Sequence, residues 1–251
     1  MKKTDSNSDN NIIIEITDLA KSFGEKKVLN GINFNLKKGE NLVILGRSGT
    51  GKSVTIKCIV GLVAADKGNI NIFGEDITKI GNLELNNIRT KIGFMFQSGA
   101  LYDSMSVRQN LIFTLKHHSK DLEKDEIEKK ITESLKSVGL LEAIDKMPAE
   151  LSGGMVKRIG LARTIIINPE IILYDEPTSG LDTITSREIS DLIVSVQEKY
   201  QTSSIIITHD MSCAKTVANR ILILKDGIIN AEGTYEELEK SKDEWVRSFF
   251  V

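Results

Sequence analysis

The stretch "NLVILGRSGTGKS" (41–53) constrains the fold more than any other. A short apolar run ends at Gly46 and enters the pattern G-x-x-x-x-G-K-S, with Gly46, Gly51, Lys52 and Ser53 in its fixed places. Such a run suits a central strand covered on both faces. The residues from the second glycine to about Leu62 suit a helix. Strand, glycine loop and helix make a phosphate cradle over Gly46, Arg47, Ser48, Gly49, Thr50, Gly51, Lys52, Ser53 and Val54. Glycines let successive backbone N–H groups converge on the β- and γ-phosphates of a nucleotide, and the helix start adds a favourable dipole. Lys52 neutralises charge, and the Ser53 hydroxyl is a ligand for Mg²⁺. A turn that only joins strand to helix is the bland alternative. Average glycine usage makes a chance match in such a chain roughly one in a hundred.

The rest of the chain alternates strand-like and helix-like runs. From Ile12 the pattern is β-like with glycine punctuation, a hairpin-rich start, and "NINIFG" (69–74) and "KIGFMFQ" (91–97) are further strands. Residues 106–147 change character: Ile127, Ile131, Leu135 and Val138 fall at steps of four, four and three, the stripe of an amphipathic helix. This predicts a mostly helical insert with a solvated charged face, and His117 and His118 read as exposed residues of its polar run. A helix to about Ile167, a strand in "PEIILYDEP" (169–177), a helix over 183–200 and a strand in "SSIIITHD" (203–210) follow. A helix from Met211, two short strands around Asp226 and Gly227, and a helical end complete the chain. The alternation predicts an α/β fold: a mainly parallel central sheet with helices on both faces, an N-terminal antiparallel β subdomain and a helical insert. The expected organisation is a polar mobile tail over 1–11 and one domain over 12–251, with the helical subdomain at about 100–165 and a helical tail at 234–251.

Several polar residues stand just past buried strands. The four apolar residues of "IILY" deliver Asp175 and Glu176 to a strand's C-terminal end, where ligands bind in open α/β sheets. Asp175 would hold Mg²⁺, and Glu176 would polarise an attacking water as general base. Gln97 and His209 end their strands in the same manner, so all four would converge beside the γ-phosphate. Gln97 would position water and Mg²⁺, and His209 would hydrogen-bond the γ-phosphate and hold the water.

Composition narrows the partners. With 40% hydrophobic and 27% charged residues among 251, the chain can bury a full core, and a net charge of −2 gives no global field for nucleic acid. No uncharged apolar run approaches the eighteen or so residues that cross a bilayer, so a membrane role needs a span from another chain. "MKKTDSNSDNN" (1–11) lacks the apolar core of a signal peptide. Cys58 and Cys213 have no ligand-like neighbours and read as buried free thiols, which suits a reducing cytosol.

A second glycine loop, "LSGGMVKR" (151–158), precedes a helix. A Ser N-cap accounts for Ser152, but not for Gly153 and Gly154, because glycine in a first helical turn costs stability. With Phe23, the cradle, Gln97, "LSGGM", "LYDEP", "SGLD" (179–182) and "ITHD" in this order, the sequence resembles the ATP-binding cassette ATPases from Ile12 onward. The resemblance implies that two copies stack head to tail. The Ser152, Gly153 and Gly154 loop of each then closes over the γ-phosphate in the other's cradle. By the same resemblance Phe23 stacks on adenine and Asp182 links the two sites across the interface. Two positions depart from the commonest pattern: Phe23 stands where Tyr is frequent and keeps the π-face, and Met155 stands where Gln is usual, so no polar contact from that side chain is carried over.

"LSGGM", "FQSGALYDSMSVRQN" (96–110) and "GRSGTGKSV" are similar to the ATPases of Mla/Mce-type lipid transporters. This implies a floor of Gly99, Ala100, Leu101 and Tyr102 on which a helix of a membrane permease docks. The expected protein is an ATP-hydrolysing, energy-coupling homodimer on the cytoplasmic face of the inner membrane, held by a permease. An Mce-domain protein and an accessory regulator are further candidate partners. An ATPase for another cargo (amino acid, ion or lipoprotein) is the alternative, and a soluble cassette acting on nucleic acid is disfavoured by the absence of a basic stripe or zinc spacing. Near the end, Trp245, Val246, Phe249 and Phe250 form a short apolar stripe that packs back on the domain or contacts another chain.

Overall fold

The computed structural model describes residues 11–119 and 121–250. Nearly all of the expected polar tail over 1–11 lies outside the described residues. Two sheets organise the chain. The first is antiparallel, with strands β1 (Ile12–Phe23), β2 (Lys26–Lys37), β4 (Lys67–Ile72) and β5 (Glu75–Asp76) in the order β2-β1-β4-β5. The second contains β3 (Asn41–Leu45), β6 (Ile92–Met95), β7 (Ile171–Asp175), β8 (Ser203–Ile207), β9 (Arg220–Lys225) and β10 (Ile228–Gly233), in the order β10-β9-β3-β8-β7-β6. All its neighbouring strands pair in parallel except β10, which returns antiparallel to β9 through Asp226 and Gly227. Both turn residues have positive φ, 49° and 77°, as a two-residue hairpin of primed type requires.

The central strands are apolar without alternation because both faces are covered. Val43, Leu45, Ile172, Tyr174, Ile206, Ile221 and Ile223 point into one core; Leu42, Ile44, Ile171, Leu173, Ile205, Ile207, Leu222 and Leu224 point into the other. The first core is roofed by α3 (Val107–His118), α4 (Lys124–Ser137), α5 (Gly153–Ile165), α6 (Thr183–Tyr200) and α7 (Met211–Val217). The second lies between the parallel sheet, the antiparallel sheet and the helices α1 (Lys52–Ile59) and α2 (Asn82–Arg89). Arg220 clamps the two sheets: its guanidinium grips Glu40 at 2.7 and 3.0 Å and donates to the Asn35 carbonyl at 2.7 Å.

Two local expectations needed revision. Helix α1 stops at Ile59, short of Leu62, because Gly61 turns left-handed at φ 67° and Leu62 N–H returns to the Lys57 carbonyl at 2.9 Å; Arg89 from α2 donates to the carbonyls of Val60 and Gly61 at 2.8 and 3.1 Å. Helix α2 itself had no reading in the sequence. The insert stripe behaves as expected: Ile131, Leu135 and Val138 are buried and Ile127 packs against them. His117 is exposed, and burial beside Lys130 lowers the pKa of half-buried His118. At the C-terminal end, α8 (Tyr235–Glu239) and α9 (Glu244–Arg247) fold onto the first core. Val246 is buried, with Trp245, Phe249 and Phe250 packed beside it, so within one chain the apolar stripe packs back on the domain. Cys58 and Cys213 are buried free thiols, each pushed up to about 11 by burial.

Candidate active site

Four strands of the parallel sheet deliver polar residues to one edge. Gly46 follows β3, Gln97 lies two residues past β6, Asp175 closes β7 with Glu176 next, and His209 lies two residues past β8. This is the C-terminal edge, where parallel α/β sheets collect ligand groups. A cleft of about 650 Å³ opens there, lined by Phe23, Lys26, Val28, Arg47, Ser48, Gly49, Gly51, Lys52, Ser53, Val54, Gln97, Glu176 and His209.

The loop owes its shape to Gly51, which has φ 106°, a left-handed conformation open to glycine. A Cβ there would also meet Leu29 Cδ2 at 2.7 Å and the Val28 carbonyl oxygen at 2.9 Å, so the loop seats against β2 only as glycine. From this turn α1 starts at Lys52. The Lys52 ammonium donates to the carbonyls of Gly46 and Arg47 at 2.8 and 3.2 Å and stands 3.8 Å from Glu176 Oε1. Burial lowers its pKa from the usual lysine value, opposed by the charges of Glu176 and Asp175. Ser53 Oγ donates to Asp175 Oδ1 at 2.9 Å, which ties the helix start to the end of β7.

Glu176 sits at a strained point. Its φ is 52°, a left-handed conformation that costs a non-glycine residue about 1–3 kcal/mol. Its N–H still donates to Ile207 O at 2.9 Å, and Oε2 faces His209 Nδ1 at 2.8 Å. The Glu176 side chain is 14% exposed and that of His209 is 67% exposed, so a mostly buried carboxylate meets a reachable imidazole. Asp210 fastens the same corner, accepting from Thr178 Oγ1 at 3.0 Å and capping α7.

Of the residues named from sequence, the cradle, Phe23, Gln97, Glu176 and His209 line one cleft, and Asp175 adjoins it through Ser53. Gly46 and Thr50 shape the loop from behind, Thr50 Oγ1 donating to Arg47 O at 2.9 Å. Ser152, Gly153, Gly154 and Asp182 are absent from this lining. Within the chain Ser152 caps α5 through Met155 N–H, and Asp182 caps α6 through the N–H groups of Ile184 and Thr185. Those backbone bonds, with one from Thr185 Oγ1, hold the Asp182 carboxyl below its usual value. Sequence reasoning passed over Lys26 and Val28 of the cleft wall, and over Lys157. The last is 6% exposed, with its ammonium placed among backbone carbonyls beneath Gln97 and Glu176.

Residues 29–179 match the family model described as ABC transporter. The chain belongs to the ABC transporter family. Among its relatives, the chloroplastic protein TRIGALACTOSYLDIACYLGLYCEROL 3 of Arabidopsis thaliana is 40% identical, over 96% of this chain and 74% of that one. The probable ribonucleotide transport ATP-binding protein mkl of Mycobacterium leprae is also 40% identical, over 95% and 68%. The intermembrane phospholipid transport system ATP-binding protein MlaF of Haemophilus influenzae is 36% identical, over 93% and 88%. In structure, the chain is similar to a dimeric ATP-binding cassette in a post-hydrolysis state bound to ADP and phosphate. That cassette is 32% identical, with a TM-score of 0.80 over 88% of this chain and 98% of the other. The ABC family fold thus observed is the one expected, and this ABC chain is an ATP-binding ATPase.

Proposed function

We propose that this ATPase is the energy-coupling subunit of a lipid transporter, and that it completes its active site only as a head-to-tail pair. One arrangement supports the chemistry above all: Glu176 lies between His209 Nδ1 at 2.8 Å and Lys52 Nζ at 3.8 Å, at the mouth of the cradle. Lys52 and the N–H groups of the loop bind the β- and γ-phosphates, and the exposed face of Phe23 takes adenine. Glu176 accepts the proton of the attacking water, and His209 orients that carboxylate and the γ-phosphate. Ser53, Asp175 and Gln97 offer a hydroxyl, a carboxylate and an amide oxygen, a hard-oxygen set that fits Mg²⁺ completed by phosphate oxygens. The ion, when bound, neutralises charge on the β- and γ-oxygens.

The pair is supported by what the second glycine loop leaves open. Gly153 is exposed and, among the described residues, a Cβ there would meet only Leu181 Cδ2 at 3.6 Å, so nothing among them demands a glycine. Exposed Ile184 begins the neighbouring helix, a surface suited to cover by a second copy. By the same reading, Ser152, Gly153, Gly154 and Asp182 act on the partner's nucleotide rather than their own. The division expected at about 100–165 and 234–251 is the working organisation of the domain.

The lipid reading draws on MlaF, a phospholipid transport protein matched along most of both chains. A permease helix docks on Gly99–Tyr102, where Tyr102 is 47% exposed and rests edge-on against Phe113, 4.8 Å between ring centres. None of the helices among the described residues is long and apolar enough to cross a membrane. On the lipid-transport reading the subunit sits on the cytoplasmic face of the cell membrane, held by the permease, with an Mce-domain protein and a regulator as further partners and no nucleic acid. An amino-acid importer is the second reading, favoured by a methionine import protein 35% identical over 90% of this chain. The test is purification of the tagged protein from membranes in detergent with identification of co-purifying chains and lipids. A polytopic permease with bound phospholipid supports the proposal, and a permease with a solute-binding protein and no lipid overturns the cargo.

A further inference from the structure

Lys157 lies outside the nucleotide cleft, yet it is the most buried cation on helix α5, at 6% exposure. A buried ammonium is costly unless each of its three N–H groups finds an acceptor. Lys157 Nζ has three: the carbonyl oxygen of Gln97, the carbonyl oxygen of Glu176 at 3.3 Å and Ser179 Oγ at 3.5 Å. Burial lowers its pKa from the usual lysine value, while the charges of Glu176 and Asp175 oppose that shift. The same face of α5 meets the segment after β6 at two further points. Gly160 lies against Gly99, whose Cα would be 3.0 Å from a Cβ at Gly160, and Arg163 Nη1 donates to the Ala100 carbonyl. Residues 157, 160 and 163 are three apart, one stripe of a helix.

The two carbonyls that Lys157 joins belong to the peptides of Gln97 and Glu176. The Glu176 carbonyl also accepts from Ser179 N–H at 3.2 Å, closing the turn through Pro177 and Thr178. Glu176 holds φ 52°, a conformation that persists only where its surroundings over-determine it. A cation on the Glu176 carbonyl, together with the bond from its N–H to Ile207 O, holds both peptide units that flank its Cα. From the far end of the arm, α5 begins at Ser152–Gly154.

We propose that Lys157 is a positioning residue for hydrolysis: its ammonium pins the backbone of Glu176 to that of Gln97 and ties both to the helix that carries the Ser152–Gly154 loop. Lys157 then sets the angle of the Glu176 carboxylate without itself touching nucleotide. This rests on the reading of Glu176 as the general base.

The test compares Lys157→Met, close in length but without charge or donors, with Lys157→Gln, which keeps two donors on a shorter arm. ATP turnover, KM for ATP, nucleotide affinity measured with a fluorescent ATP analogue, and melting temperature are read for each, with Glu176→Gln in parallel. The expected result is a kcat at least tenfold lower for Lys157→Met, with KM and nucleotide affinity within twofold and partial recovery of kcat in Lys157→Gln. A kcat within twofold of the unaltered protein overturns the proposal. So does a loss of turnover that tracks loss of nucleotide affinity and melting temperature, which marks structural support alone. Should Lys157→Met fail to fold, the kcat-against-affinity split of Lys157→Gln decides by the same limits. Full turnover in Glu176→Gln overturns the assignment of the base instead, whereas inactive Glu176→Gln beside fully active Lys157→Met overturns only the role of Lys157.

Discussion

Gly153 and Gly154 of the second glycine loop separate what the fold requires from what a neighbour requires. Neither has a positive φ, so alanine is compatible with both backbones. At Gly154 a Cβ would stand 2.6 Å from Thr185 Cγ2, close to an ångström inside ordinary contact; at Gly153 the nearest atom would be 3.6 Å away. Overpacking of that kind costs about 1–3 kcal/mol, and alanine returns up to about 1 kcal/mol of helix propensity. Gly154→Ala is therefore expected to destabilise by about 1 kcal/mol, which at this chain length shifts the melting temperature by about 2–4 °C. Thr185→Ser deletes Cγ2 but keeps Oγ1, which donates to Asp182 Oδ2 at 2.7 Å. The pair Gly154→Ala and Thr185→Ser should then recover the stability, with a coupling of about 1 kcal/mol in a double-mutant cycle. Gly153→Ala should be as stable as the unaltered protein or more so, yet hydrolyse ATP several-fold more slowly, because the partner's phosphate approaches its bare backbone. Urea unfolding without nucleotide measures the first set, and steady-state ATPase the second. Full activity in Gly153→Ala, or a Gly154→Ala protein of undiminished stability, refutes the reasoning.

Further outcomes follow from the cleft and the core. Glu176→Gln should bind ATP and stop turning over, whereas Lys52→Ala should lose nucleotide affinity itself; equilibrium binding beside ATPase rates separates the two. Both thiols, raised to about 11, should ionise at pH 7.5 in fewer than about one molecule in a thousand, so Ellman's reagent should report no free thiol until the protein is unfolded. Val246→Ala should cost about 2 kcal/mol in urea unfolding, because Val246 is 1% exposed beneath the terminal aromatics. An unchanged midpoint would remove the terminal stripe from the core.

What could be read from the sequence was whatever the side chains record. The cradle, the strand ends at Gln97, Asp175, Glu176 and His209, and the two-sided burial of the central strands are written in residue types at fixed spacing. The roles of Ser152, Gly153, Gly154 and Asp182 came from resemblance; within one chain Ser152 and Asp182 show as helix caps, Gly153 as unfilled space and Gly154 as close packing against Thr185. Helix α2 escaped because "NLELNNIR" buries only Ile88 and carries three asparagines, so its pattern looks like a loop; its purpose is tertiary, holding the end of α1 through Arg89. Lys157 escaped for a different reason. Its partners are two backbone carbonyls and a serine hydroxyl far along the chain, and no side-chain pattern announces a carbonyl.

On the reading proposed above, one chain lacks part of its own active site. The most direct test is the specific ATPase activity of the purified protein against enzyme concentration, with oligomeric state followed by mass photometry. Activity per chain should fall toward zero as dilution leaves monomers. Constant activity per chain in samples shown to be monomeric would contradict it.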